Sequence, residues 1–517
     1  MWCERLHELC LTLLVFFCIV LECSCLTFKY HNNSELEQVL KNFTNSTTNI
    51  RTRLEKIGSS LNKIPLWAIE LTAAEKDALG VPNIKLIGNI HGNEAVGREI
   101  ILNFMEYLRT EYDRNTTIQW LLNNTRIHFL PTMNPDGFAV SHEGMCAGEY
   151  GRKNGKQGDV EDLNRNFPDF FHDNKIPRQP ETVAVMNWMK RIPFILSAGL
   201  HGGAVVANYP FDTVKEERWK TLLRRIETVT DSQVEYEMRI QYLASIPINP
   251  PSLTPDDDVF RHLATVYSQN HLTMHKGVIC DDGKKFQGGI TNGAAWYPFS
   301  GGMQDYNYAK HGCMELTLEI SCCKFPRASE LPHLWDENKM ALLRYVMEAH
   351  RGVTGQLLDS VTNEPVSRAD LKIVGRNITF HPSNKGEFWR LLLPGNYQIQ
   401  VDAPGYYPII QEFSVKNFSA AELPSLTKMK ILLLNDTIPT TAKPVTSSSS
   451  STAVKWDFKE TRIEEEEETT ILEMNHFLRH FQYTADPNSE YNNGLKPNFF
   501  SCFLSMLVIE VFVFTIL

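Results

Sequence analysis

The sequence predicts an α/β domain with a mixed, largely parallel sheet flanked by helices, followed by a small all-β sandwich. Three observations lead there. Between residues 26 and 351, short apolar runs alternate with longer stretches of helical spacing. After Arg351 the helical spacing stops, and short alternating runs separated by turn residues take over. From Thr437 the chain is rich in Thr, Pro and Ser, a composition that cannot bury a core.

Residues 84–90 (IKLIGNI) are apolar, lie between Pro82 and His91, and read as a buried strand. Residues 95–112 carry apolar positions at helical spacing, so a helix follows. Residues 126–131 (RIHFLP) and 194–200 (FILSAGL) are again strand-like, and 314–320 (MELTLEI) alternates and ends the set. Helices are expected at 181–191, 216–230, 256–270 and 336–350. In such sheets ligands sit at the carboxyl ends of strands. His91, His201 and Glu319 fall at or near those ends. Residues 352–435 hold alternating runs such as 369–374 (ADLKIV) and 397–401 (YQIQV). Turns at Asn363-Glu364-Pro365, Pro394-Gly395-Asn396 and Ala403-Pro404-Gly405 separate them, which is the pattern of a β-sandwich.

The two ends of the chain speak to compartment. Residues 9–21 are apolar, with Arg5 before them and Cys23, Ser24 and Cys25 after. Residues 1–25 therefore read as a signal peptide; a signal anchor is the alternative, against which the run is short for a membrane span. Residues 436–498 read as a disordered Ser/Thr/Pro and acidic stalk that includes Glu464 to Glu468. Residues 499–517 form an apolar tail with no Lys or Arg behind it. Two readings stand: a GPI-anchor signal, with Ser489, Asn492, Asn493 and Gly494 as its small residues, or a membrane helix. Glu510 weakens both.

Asn-x-Ser/Thr sequons occur at Asn32, Asn42, Asn45, Asn115, Asn123, Asn377, Asn417 and Asn435, and in a secreted chain they read as surface glycans. Of 11 cysteines, Cys146, Cys280, Cys313, Cys322 and Cys323 lie in the body of the chain. That odd count gives two disulfides and one unpaired thiol. A net charge of −10, from 51 basic and 61 acidic residues, gives no sign of nucleic-acid binding. These features place the chain in the secretory pathway and at the cell surface.

The chemistry sits in short polar motifs. His91 and Glu94 are three apart, and the helical His-Glu-x-x-His zinc motif is absent, so the fold has to bring in a third ligand. His201 is the candidate, because it follows a strand-like run and precedes Gly202-Gly203. Two His and a Glu are the donor set of a catalytic zinc with an open position, not of a closed structural one.

Longer motifs carry a resemblance. FKYH (28–31), TMNPDGF (132–138), DLNRNFPD (162–169), HGGAVVANYPFD (201–212), TPDDDVF (254–260), GITNGAAWYP (289–298), GGMQDYNY (301–308) and LEISCCKFP (318–326) stand in one order. Together they resemble the zinc metallocarboxypeptidases, within them the regulatory subfamily of carboxypeptidases M, N, E and D. The likeness runs from about Phe28 to the end of the β domain. The stalk and tail give the layout of a membrane-anchored member.

The resemblance implies a metallocarboxypeptidase-like fold followed by a transthyretin-like domain. It implies one zinc per catalytic domain, held by His91, Glu94 and His201, with Glu319 as general base. Asn164 and Arg165 match the clamp on a substrate's terminal carboxylate. Arg152 resembles the arginine that stabilises the oxyanion, with Lys153 as a neighbouring candidate. Tyr297 matches a mobile tyrosine that closes over substrate. Asp212, with Gln304 beside it, matches the acid of a pocket that selects C-terminal Arg or Lys from peptides and proteins; its alternative is a cap on the helix expected from 216. Cys146 and Cys280 pair with Cys322 and Cys323, in an order left open, and Cys313 stays free. Two other readings of the chain are an inactive peptide-binding relative and a cell-surface adhesion protein, and the second would not require Glu319.

Overall fold

The computed structural model describes residues 26–44, 49–215, 250–281, 283–418 and 422–437. The leader, the expected helix at 216–230, the Asn45 sequon, the stalk beyond 437 and the apolar tail lie outside the described residues.

Eight strands make one sheet: β1 (Arg51–Ser59), β2 (Pro65–Thr72), β3 (Asn83–Gly88), β4 (Arg126–Leu130), β5 (Phe194–His201), β6 (Ala204–Tyr209), β7 (Ile290–Asn292) and β8 (Met314–Ser321). Their spatial order is β1-β2-β4-β3-β5-β8-β6-β7. The centre, β4-β3-β5-β8, is parallel throughout. β1–β2, β2–β4 and β8–β6 pair antiparallel, and β6–β7 parallel. The central strands β3, β5 and β8 are buried along their whole length. Strands buried on both faces read as near-continuous apolar runs, and these three were legible in the sequence. β1 was not anticipated. It is an edge strand with charged residues and no fully buried position, so it carries little hydrophobic signal. β2, β6 and β7 were not anticipated either.

The longer helices among the described residues are α1 (Asn33–Thr44), α2 (Val96–Glu111), α3 (Thr116–Asn124), α4 (Pro180–Arg191), α5 (Asp257–Asn270), α6 (Met303–His311) and α7 (Leu331–Met347). α2 buries Ile100, Ile101, Phe104, Met105 and Leu108 against β3, β5 and α7. Asn115 caps α3 by accepting from the backbone N–H of Thr117 and Ile118. α7 starts five residues before the expected 336, with Pro332 in its first turn, where a missing N–H costs nothing. It ends at Met347, and Glu348–His350 continue as a 3₁₀ turn.

The β-rich segment forms two three-stranded sheets. One is β10 (Asp370–Ile373), β12 (Gly395–Asp402) and β13 (Ile409–Val415); the other is β11 (Glu387–Leu391), β9 (Gly352–Asp359) and β14 (Thr427–Leu433). They enclose a core that includes Val353, Leu371, Phe388, Ile399, Val401 and Ile431. This segment is tied to the large sheet's helices through Asp256, just ahead of α5. The fully buried Asp256 carboxylate accepts from Arg376 at 2.7 Å, from Arg390 of β11, and from the Tyr308 hydroxyl at 2.7 Å. A carboxylate shared by three donors meets the requirement that a buried charge be paired and hydrogen-bonded.

Candidate active site

The site is assembled where β3, β5 and β8 end. After β3 the chain turns through Asn89, which takes the left-handed conformation (φ 57°) that asparagine tolerates better than most residues. Its side-chain amide donates to the carbonyls of His91 (2.8 Å), Gly92 (2.9 Å) and Glu94 (3.3 Å). Its oxygen accepts from the Thr132 hydroxyl at 2.8 Å. The segment carrying His91 and Glu94 is thus wrapped around one buried side chain. His201 arrives as the last residue of β5, and Gly203, at φ 122°, turns the chain into β6.

These three side chains converge. The Nδ1 atoms of His91 and His201 each lie 2.9 Å from Oε2 of Glu94. One donor atom from each residue falls within 4.8 Å of the others, and all three residues are buried. His91 Nε2 lies 3.1 Å from the Asp162 carboxylate. With Nε2–H donating there, the Nδ1 lone pair is turned to Glu94 and His201. Burial works to raise the Glu94 carboxyl, but the two histidines override it and hold it well below the usual range.

Glu319 of β8 stands in register with His201 of β5. It is 6 % exposed, and its Oε2 has no hydrogen-bond partner among the described residues. Burial pushes this carboxyl up to about 7; the charge of Glu94 adds to the rise, while His201 and Arg152 oppose it. A buried orphan oxygen costs free energy unless something meets it. Two imidazole nitrogens, a carboxylate and this orphan fit one zinc ion together with a bound water.

Arg152 reaches the same place. Its Nη1 donates to Glu94 Oε1 at 3.1 Å and its Nε to Asp162 at 2.9 Å. The fold therefore delivers the guanidinium of Arg152 to the ligands. Asp162 had not been singled out in the sequence. It touches His91, touches Arg152, and accepts from the backbone N–H of Asn164 at 2.8 Å. Its place in the DLNRNF run was the available signal. Asn89 and Lys324 were also missed; Lys324 Nζ lies 3.8 Å from Glu94 Oε1.

Asn164 and Arg165 lie on a short 3₁₀ turn, Leu163–Arg165. The Asn164 side chain accepts from the N–H of Met303 at the start of α6 (2.9 Å). Arg165 stacks on the Phe299 ring, 3.5 Å from its centroid. Tyr297 follows the single turn Gly293–Trp296 and is 38 % exposed, unlike the rest of the set.

Asp212, after β6, is 1 % exposed. Its carboxylate accepts from Asn208 Nδ2 at 2.9 Å and Gln304 Nε2 at 3.2 Å, and Gln304 in turn accepts from the Thr317 N–H at 2.7 Å. Asp305 is committed otherwise: both its oxygens accept from the backbone N–H of Asp212, and one also from that of Thr213, all at 3.0 Å. Gly293 is needed beside the carboxylate, since a Cβ there would sit 1.8 Å from Asp212 Oδ1. Burial pushes the Asp212 carboxyl up to about 6.

Disulfides join Cys146 to Cys323 and Cys280 to Cys322, while Cys313 is unpaired and buried. Adjacent cysteines beyond β8 thus tie two separate loops to the strand that carries Glu319.

The geometry has counterparts among known proteins. Residues 36–341 match the family described as zinc carboxypeptidase. Carboxypeptidase M of Mus musculus is 40 % identical over 393 residues, 75 % of this chain and 82 % of that protein. The carboxypeptidase N catalytic chain of Mus musculus is 39 % identical over 410 residues, covering 74 % and 82 %. Carboxypeptidase D of Homo sapiens is 39 % identical over 404 residues, 77 % of this chain but 26 % of its own length. With a buried His–Glu–His donor set inside the matched span, the chain belongs to the zinc carboxypeptidases and is a metallocarboxypeptidase.

Proposed function

We propose that this enzyme releases C-terminal arginine or lysine from extracellular peptides and proteins. The observation that carries the specificity is Asp212: a buried carboxylate held by two neutral amides, with no ion pair to it among the described residues. A cationic side chain entering beside it would supply the missing counter-charge, whereas an apolar one would leave the carboxylate desolvated and unpaired.

His91, Glu94 and His201 would hold the zinc, which polarises a carbonyl and lowers the pKa of a water bound to it. Glu319 takes a proton from the attacking water and passes it to the leaving amine. Its raised pKa suits a group that must both accept and donate near neutrality. Arg152 donates N–H groups to the negative charge that develops on the scissile carbonyl oxygen. Asn164 and Arg165 grip the terminal carboxylate, which makes the enzyme an exopeptidase. Tyr297, exposed at the edge of the site, closes over the bound substrate.

The location is read from the sequence and the surface. Residues 1–25 direct secretion, 26–351 form the catalytic domain, 352–435 the transthyretin-like domain, and 436–498 the stalk. The tail at 499–517 is exchanged for a GPI anchor at the cell surface. No helix among the described residues is long and apolar enough to cross a membrane. In Asn32, Asn42, Asn115, Asn123 and Asn435 the hydrogen bonds formed use the side-chain oxygen, and the nitrogen is the atom a glycan would join.

The test is hydrolysis of peptides that differ only in the last residue, with and without a chelator. Release confined to C-terminal Arg and Lys, and abolished by the chelator, is expected. Equal release of Leu or Phe would overturn the specificity.

A further inference from the structure

Phe299 has no role in the mechanism above, yet its ring meets two residues of the site and its backbone a third. The Arg165 guanidinium lies 3.5 Å from its centroid. The Tyr297 ring packs on it at 5.7 Å, inclined by 26°. Its N–H donates to the carbonyl of Asp212 at 3.0 Å, which anchors the ring to the pocket wall. The Arg165 side chain makes one described hydrogen bond, from Nη1 to the carbonyl of Asn164 at 2.9 Å. A guanidinium has a face and an edge. Stacking occupies the face and leaves the N–H edge for hydrogen bonds. A long side chain held by one hydrogen bond would still rotate about it, and binding would have to stop that motion.

We propose that Phe299 is a positioning residue for substrate affinity, fixing the plane of Arg165 so that its free N–H edge is set for a terminal carboxylate before substrate arrives. The proposal rests on the reading of Arg165 as the carboxylate grip. It concerns every substrate alike, since the terminal carboxylate is common to all of them and the Asp212 pocket is not involved.

The experiment compares wild type, Phe299→Leu and Phe299→Trp with zinc content and Tm measured on each. Phe299→Leu should raise KM about fivefold to tenfold for C-terminal Arg and Lys alike, with kcat within about threefold, given the strength of a cation–π contact. Phe299→Trp, which keeps a ring face, should restore KM. Inhibition by free arginine should weaken in Phe299→Leu, while inhibition by argininamide, which lacks the carboxylate, should not change. A fall in Tm with KM unaltered, or equal weakening of both inhibitors, would overturn the proposal alone. Wild-type enzyme that binds arginine and argininamide equally would overturn the carboxylate reading and this proposal together.

Discussion

His201 and Glu319 are paired neighbours across the parallel strands β5 and β8. One backbone register thus sets the distance between a side chain proposed to hold zinc and the carboxylate proposed as base, and no loop intervenes. Sites built on strands hold their geometry better than sites built on loops. Val206 of β6 occupies the register position on the other side of Glu319, so the carboxylate rises from a strand hydrogen-bonded on both edges.

Glu319→Gln should therefore keep the fold and the metal while losing the proton transfer. Zinc content and Tm should match wild type. Turnover should fall by roughly 10²- to 10⁴-fold, the usual contribution of a general base. Metal analysis and steady-state kinetics on one preparation check this. Near-normal kcat would remove Glu319 from the mechanism.

Asp162 offers a test of the metal site that leaves all three ligands in place. It orients His91 from behind and holds Arg152 by its Nε. Asp162→Asn should weaken zinc affinity by about 10- to 100-fold, the range seen when a partner behind a ligating His is changed. Competition with a calibrated chelator measures it. Unchanged affinity would show that packing alone orients the His91 ring.

How much of this was legible in the sequence depends on the kind of signal. The central strands were plain because burial on both faces leaves an unbroken apolar run, as in IKLIGNI (84–90). The residues proposed as metal ligands and pocket acid could be named from the sequence, His201 and Asp212 because they stand in one long motif (201–212), His91 and Glu94 because they lie three apart just after a strand-like run. Asn89 and Asp162 could not, although each organises the site. Their work is done by hydrogen bonds to residues brought near by the fold, and nothing in local composition marks such a partner. Asp305 shows the same limit. It is a second buried acid, the third residue of α6. The structure shows both its oxygens taken up by the backbone of Asp212 and Thr213. The order of the disulfides also stayed open until three-dimensional proximity was known, because Cys322 and Cys323 are adjacent in the chain.

The contact between the β-sandwich and the α/β part can be weighed by removing one donor from Asp256. Arg390 is 2 % exposed and Asp256 fully buried. Breaking a buried pair typically costs about 3–5 kcal/mol. Arg376 and Tyr308 remain as partners, so Arg390→Met should destabilise by about 3 kcal/mol, at the low end of that range. Equilibrium denaturation followed by tryptophan fluorescence checks it. A loss below about 1 kcal/mol would mean that Arg376 alone neutralises Asp256.

Asp212 makes the specificity depend on pH. Its carboxyl is pushed up to about 6 by burial, so it is largely ionised at pH 7.5 and largely protonated at pH 5. The ionised form is the one that pairs with a substrate Arg or Lys. Selectivity should therefore be complete above the raised pKa and decline as pH falls through it, by about tenfold per unit once below. Absolute rates do not isolate this group, because they also carry every step that is common to all substrates. The ratio of kcat/KM for a C-terminal Arg peptide to that for a C-terminal Leu peptide does isolate it, since zinc and clamp are common to both. That ratio should drop by roughly tenfold between pH 7 and pH 5 in wild type. In Asp212→Ala it should already be lower by about 30-fold or more at pH 7, from the loss of a buried charge pair, and should be flat with pH. If the ratio in wild type is constant over this range, Asp212 either stays ionised throughout or does not face the substrate. The Asp212→Ala ratio at pH 7 tells these apart, because only in the first case does it fall.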